Sequence, residues 1–392
     1  MNIRRAMAVA ATASALIIGV APAAGATSAA HATIPAVSPH PADRGAVFVQ
    51  TNDPTGNAVM VFVRGRDGRL VELHTYQTGG LGGAEPGSVV DPLASQGSLT
   101  YDPTHRLLYG VNAGSDTITV FAVHGLELRR VQVLSSGGHF PVSITQVGGL
   151  VYVLDAGGDG LISGFRVRGQ RLVPIAGSRR SLGLGNPALP PFLASPSQVV
   201  LTPDGRDAIV ATKTHATLVT FPLDGVGRPV GDPVVTDTGT GTVPFALTFD
   251  QADRLQVADA TGGAYSYRVH SNGALQRISD FVGNGQVATC WSVSTRGFLY
   301  VANAGSATIT GYRTGPTGSL SLLQPSGITA TTGAGPVDLA ASSDGHYLYQ
   351  QATGAGQIDE FRIGADGSLT LIGSVAGLPV DDGSGPEGIA AS

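Results

Sequence analysis

Lys213 is the only lysine in a chain of 392 residues; every other fixed positive charge is an arginine. An ammonium on a concave, partly desolvated rim has its pKa lowered by burial, and it can hold a carboxylate or act as a base. His215 follows two residues later, and His139 lies well upstream. An imidazole titrates near neutral pH, which suits a general base. Asp259 and Asp155 supply carboxylates at positions that matching stretches of the chain fill with Asn112 and Asn303. The plainer reading of each is structural. Lys213 would be a leftover surface lysine, the histidines would hydrogen-bond loop backbone, and the Asp and Asn side chains would brace turns. A paired-carboxylate mechanism needs two acids facing each other across a gap, a distance that spacing along the chain does not specify. Trp291 and Cys290, the single tryptophan and the single cysteine, are neighbours. The cysteine reads as a buried gap-filler, and the indole as a ligand platform or a channel plug.

Other chemistry is excluded more firmly. One cysteine permits no intramolecular disulfide and no cysteine-based zinc cluster. The sequence has no G-x-S-x-G elbow, no H-E-x-x-H and no phosphate-binding G-x-x-x-x-G-K-[ST]. No metal site and no cofactor are expected. The formal net charge of −5 argues against a nucleic-acid partner, whose backbone demands a basic surface.

Side chains so far apart in sequence must be brought together by the fold, and the fold is written in a repeat. The run YVANAGSATITGY at 300–312 shares eight of thirteen positions with YGVNAGSDTITVF at 109–121. Looser copies make seven, with turn residues Asn52, Asn112, Asp155, Thr212, Asp259, Asn303 and Ala352. Their spacing averages about 50 residues, so seven units fill residues 45–392. Each copy is a short apolar strand, a tight turn and an alternating strand. A further hairpin turn follows, as at Asp67-Gly68, Asn272-Gly273 and Asp366-Gly367, and another strand, often opened by proline, precedes each copy. Glycine, 56 residues in all, punctuates these turns. Four antiparallel strands per unit of this length predict an all-β, seven-bladed propeller, with strands A to D in each blade. The first unit lacks an A strand, whereas the tail GPEGIA at 385–390 matches the A strand GPVDLA at 335–340. The C-terminus is therefore expected to supply the inner strand of blade one and close the ring.

In that arrangement the starts of the A strands and the B–C turns share one face. The A strands would bring His139, Gln198, Phe245, Trp291, Asp338 and Glu387 to the channel mouth as ligand-binding residues. The turns would bring Lys213, His215 and Asp259 as catalytic ones. Two long D–A connections, 77–95 and 177–195, belong to the same face, where loops on a rigid scaffold carry binding.

The N-terminus carries Arg4 and Arg5, an apolar run over 6–20 and a small-residue site at 24–26. This predicts a signal peptide over 1–26, a flexible lead-in over 27–44, and a secreted product with no membrane insertion after cleavage, free or retained at the cell wall. A monomer is expected.

The string LYVANAGSATITGY at 299–312, with Gly318-Ser319-Leu320 after it and LTPDGR at 201–206, resembles the YVTN-type repeat of lactonase-like propellers. That family includes propeller-type 6-phosphogluconolactonases and carboxymuconate lactonising enzymes. The resemblance implies hydrolysis of a small sugar- or hydroxy-acid-derived lactone. His215 or Asp259 would then activate water, with Lys213 steadying the carbonyl oxygen. It also implies an Arg-His pair opening an A strand and a Glu after a B–C turn Asn. Here those positions read SPSQ at 195–198, VPFA at 243–246, Thr212-Lys213 and Asp259-Ala260. The alternative is a non-catalytic scaffold that binds a small molecule, a cell-wall glycan or a protein at the same face.

Overall fold

The computed structural model describes residues 45–380 and 385–392. The chain divides into two units, Met1–Ser38, which falls outside those residues, and Pro39–Ser392, to which everything below belongs. The expected signal peptide and lead-in also lie outside the described residues.

Seven antiparallel sheets follow one another along the chain, ordered by hairpin connection from the inner strand outwards in every blade but the first. The ring is closed by the tail. Ile389–Ala391 pairs with Gly45–Gln50 in the register Val47↔Ala391, Phe48↔Ala390 and Val49↔Ile389. The Gln50 N–H donates to Gly388 O at 2.9 Å, and the Glu387 N–H to Gln50 O at 3.0 Å. The first and last strands of the fold are thus one sheet. In blades three and six the outer edge is split: Arg171–Pro174 and Arg180–Ser181 both pair with Leu161–Arg168, and Leu320–Leu322 and Ala330–Thr331 both pair with Thr308–Thr314. Pro174 and Pro325 lie at the two breaks, where a residue without an N–H interrupts a ladder.

The repeat's tyrosine has a job that explains the motif. Tyr152, Tyr300 and Tyr349 stand fully buried on B strands. Each hydroxyl donates to a glycine carbonyl in the C–D turn of the next blade: Gly227 at 2.7 Å, Gly367 at 2.9 Å and Gly68 at 2.9 Å. One side chain therefore fills the inter-blade core with its ring and ties two blades with its hydroxyl. The turn asparagines brace their hairpins as expected. Asn303 Nδ2 donates to Thr308 Oγ1 (3.1 Å) and Thr310 Oγ1 (2.9 Å), while its Oδ1 accepts from Thr289 Oγ1 (2.6 Å).

Candidate functional site

The connection from blade one to blade two does not stay on the rim. It first lies on the blade-one turn, where the Gly82 N–H donates to Asp53 O at 2.8 Å and Asn52 Nδ2 to Gly83 O at 2.9 Å. Only glycine fits at 82, because a Cβ there would stand 1.9 Å from the Asn52 carbonyl oxygen. Residues 91–97 then cross the mouth of the channel and bind the inner strands of several blades. The Leu93 N–H donates to Glu387 Oε2 (2.9 Å), Ser95 Oγ to Val142 O (2.8 Å) and the Gln96 N–H to Ser197 O (3.1 Å). On the far side Trp291 Nε1 donates to Ser95 O at 2.8 Å, and the Gln96 amide exchanges two bonds with the Ser292 backbone at 2.8 and 2.7 Å. The segment is a plug, and Trp291 is one of its anchors.

Lys213 is another. It is 1% exposed, and Nζ donates to Ala94 O at 2.7 Å and to Ser195 Oγ at 2.6 Å. Ser195 Oγ in turn donates to Glu85 Oε2 at 2.6 Å, which lies 3.9 Å from Nζ. The ammonium also sits 5.7 Å from the Phe245 ring centre, on which a cation is attracted. The Lys213 backbone is left-handed, φ 51°, a conformation unfavourable for a side-chain-bearing residue and held here by those contacts. Burial lowers its pKa, opposed by the Glu85 and Asp91 carboxylates.

Three acids gather near this one cation. Burial pushes Glu85 up to about 8 against the pull of Lys213. Burial raises both Asp91 and Glu387, and the nearby Asp91 charge raises Glu387 further. Bonds to Ser95 fix the pair in place: the Ser95 N–H donates to Asp91 Oδ2 at 3.0 Å, and Ser95 Oγ lies 2.7 Å from Glu387 Oε1.

Above the plug a pocket of about 290 Å³ is lined by Val89, Val90, Asp91, Ala94, Phe192, Phe245, Ala288, Cys290, Trp291, Ala304 and Gly305. Phe245 and Trp291 meet edge to face at 5.2 Å. Below it, the channel holds a more polar cavity of about 390 Å³ whose walls include Gln96, Thr100, Thr145, Gln198, Thr248, Ser292 and Asp338. The plug lies between the two, with Asp91 and Ala94 on one and Gln96 and Gly97 on the other.

The sequence candidates divide accordingly. Phe245 and Trp291 line the pocket, and Glu387 supports it through Asp91. Gln198 and Asp338 belong to the channel instead: Gln198 Oε1 accepts the Leu247 N–H at 2.5 Å, and Asp338 accepts backbone N–H groups including Leu339 at 3.0 Å. The expected trio does not converge. Lys213 is behind the pocket wall and His215 is exposed. Asp259 is spent on its own turn, accepting from Val243 N, Thr261 N, Thr261 Oγ1 and Tyr265 OH. His139 is at the exposed rim, with Nδ1 2.8 Å from Asp116 Oδ2. Cys290 lines the pocket as a thiol, because burial raises its pKa. Asp91, Glu85, Phe192 and Ser195 had no motif to mark them, although all four lie in or at the end of the two long connections. Among the described residues no group of three or more His, Cys, Asp or Glu side chains could hold a metal ion.

This buried acidity has a measurable consequence. Glu85 (about 8), Asp155 and Asp338 (about 7) and Asp207 (about 6) all titrate above their ordinary values of 3.8–4.5 because of burial. Between those limits the folded protein binds more protons than the unfolded chain, so stability falls as pH rises. Lys213 acts in the opposite sense only between its lowered pKa and 10.5. The melting temperature is expected to be several degrees higher at pH 5 than at pH 8, and Glu85→Gln should flatten that slope. Calorimetry across the range checks both; a melting temperature that rises from pH 5 to pH 8 would contradict the assignment.

Comparison with known proteins agrees with this architecture. Residues 237–387 match the family model described as "Lactonase, 7-bladed beta-propeller". Among solved structures the chain is similar to a candidate 6-phosphogluconolactonase from Bacteroides fragilis, with 18% identity and a TM-score of 0.69 over 89% of this chain and 98% of that one. It is also similar to the periplasmic gluconolactonase of Pseudomonas aeruginosa, with 17% identity and a TM-score of 0.65 over 89% and 99%. A candidate 6-phosphogluconolactonase from Bacteroides uniformis gives 17% identity and 0.67 over 89% and 100%. No curated protein matches the chain. The chain resembles the seven-bladed lactonase propellers.

Proposed function

We propose that this lactonase-like propeller is exported and hydrolyses a small lactone in the mouth pocket, with Asp91 as the base. The observation that carries the reading is that Asp91 lines the pocket and is tied through Ser95 to buried Glu387, the Ser95 N–H donating to Asp91 Oδ2 at 3.0 Å with Ser95 Oγ 2.7 Å from Glu387 Oε1. A carboxylate whose proton affinity is raised by burial is a better base than one in water. Asp91 would take a proton from water as the water oxygen attacks the lactone carbonyl carbon. The ring C–O bond then breaks, and the same proton passes to the departing ring oxygen. One water is consumed and one hydroxy acid forms. Glu387 positions Asp91, and Lys213 limits the cost of the negative charge from behind the Phe245 wall.

A second reading, ligand binding without turnover, is favoured by the rest of the lining. Phe192, Phe245 and Trp291 offer contact area and no proton transfer.

A lactone panel followed by acid release, with Trp291 fluorescence as an independent measure of binding, tests both. Asp91→Asn keeps an acceptor for the Ser95 N–H and gains a donor for Glu387. It is expected to lower kcat by about 10²–10⁴-fold with binding retained. Binding without acid release for any lactone would leave the second reading standing and remove the first. An active Asp91→Asn enzyme would remove Asp91 from the mechanism.

A further inference from the structure

We infer that the mouth pocket selects an uncharged ligand carrying an apolar chain, and rejects phosphorylated or otherwise anionic sugar lactones. The inference rests on the small-molecule reading of this pocket and names the class of molecule it takes.

The lining carries the argument. Nine of its eleven residues offer aliphatic, aromatic or thiol surface, and a tenth is glycine. The one ionisable group with a stake in charge is Asp91, an acid. Among the described residues no arginine, lysine or histidine lines it. Lys213, 5.7 Å from the ring centre of the lining Phe245, has its ammonium committed to Ala94 O and Ser195 Oγ. A phosphate is recognised by guanidinium groups, ammonium groups or converging backbone N–H donors. Here it would meet a carboxylate among desolvated carbon, with both repulsion and lost hydration against it. A polyhydroxylated ring would leave most of its hydroxyls without partners, and each such group weighs against binding.

The apolar surface also continues out of the pocket. Val89, itself part of the lining, is 82% exposed, and Val287, next to Ala288 in the lining, is 62% exposed. Leu193, beside Phe192, is 47% exposed. A Cβ on the lining Gly305 would stand 2.7 Å from Val287 Cγ1, so at Val287 and at Val89 the pocket edge meets exposed apolar surface that a chain longer than the cavity could follow. Exposed apolar surface contiguous with a pocket is characteristic of a binding groove.

The test uses the protein's single tryptophan, which lies in the pocket, as the reporter. The ligands are γ-hexalactone, γ-octalactone and γ-decalactone on one side, and D-glucono-delta-lactone and 6-phosphogluconate on the other. N-phenyl-1-naphthylamine serves as a neutral apolar probe without a lactone ring. The alkyl lactones are expected to change Trp291 emission saturably, with affinity rising about fourfold per methylene while the chain stays in contact. The two sugar compounds are expected to give no saturable change at millimolar concentration. Phe192→Glu, at a half-buried loop position, should abolish alkyl-lactone binding with the melting temperature unchanged. Saturable binding of 6-phosphogluconate that is tighter than that of γ-decalactone would overturn the inference while leaving the pocket a small-molecule site. Silence from every compound, the naphthylamine included, would remove the pocket reading and the inference together.

Discussion

Lys213→Met is expected to destabilise the protein by about 3–5 kcal/mol, the usual cost of removing one partner from a buried charge arrangement. The methionine fills most of the volume but donates nothing. Ala94 O and Ser195 Oγ lose their donor, and Glu85 loses the ammonium 3.9 Å away. At roughly 1.4 °C per kcal/mol for a unit of this size, the melting temperature should fall by about 4–7 °C. The loss should be local first. Residues 91–97 are held at the axis by Lys213, Glu387, Trp291 and the Ser292 backbone, so the plug should become the preferred site of limited proteolysis. Trp291 emission should shift to the red as its indole N–H loses Ser95 O. A second substitution, Glu85→Gln, should recover part of the stability of Lys213→Met, because the uncompensated buried carboxyl is then gone. Calorimetry of the two single variants and the double variant reads this coupling directly. A Lys213→Met protein as stable as the parent, with an intact plug, would show that the lysine merely occupies space. Hydrolytic activity and alkyl-lactone binding should both fall with the plug, since Asp91 and Ala94 are pocket wall.

Removal of residues 385–392 should be more damaging still. These eight residues supply the innermost strand of blade one. They bring the ladder to Val47, Phe48 and Val49, the flanking bonds of Gly388 O, Glu387 N and Ser392 N, and the side chain of Glu387. At about 1 kcal/mol per hydrogen bond, and with Ile389 and Ala390 no longer buried, the loss exceeds about 5 kcal/mol, comparable to the whole stability of many domains. The truncated protein should melt without a cooperative transition and elute at a larger hydrodynamic radius. A synthetic peptide of residues 385–392 added in trans should restore part of the transition, since a strand edge accepts a strand from any source. Gly388→Ala in the full chain gives a milder version. Gly388 has φ +102°, and a Cβ there would stand 2.3 Å from Ser98 Oγ. An unchanged melting curve after truncation would mean that blade one is closed by something other than the tail.

How far the residues themselves foretold this molecule varies with the range of the interaction. Seven YVTN-like units, their Asp-Gly and Asn-Gly turns and the GPEGIA tail specify strands, hairpins and closure, because each depends on residues within a few positions or on one repeat's likeness to another. Which end of the ring gathers the A-strand starts and the B–C turns was also legible, since antiparallel order alternates the ends of strands. Phe245 and Trp291 follow from that and do line the pocket. His215 and Asp259 follow from the same rule and do not: a position at a turn says which face a residue is on, not where its side chain points. Asp259 turned inwards to brace its own hairpin, as the plainer reading of such acids has it.

The chain by itself therefore determined a closed, seven-bladed β-propeller and the face that gathers its A-strand starts and B–C turns, through short-range periodicity that survives in any window of fifty residues. Tertiary structure alone decided that the blade-one loop dives to the axis, that Lys213 is its buried anchor, and that Asp91 and Glu387, almost three hundred positions apart, are both bound to Ser95 beside an apolar pocket. The physical reason is that burial and charge pairing are properties of what converges in space. Periodicity carries no record of convergence between segments that repeat nothing of one another.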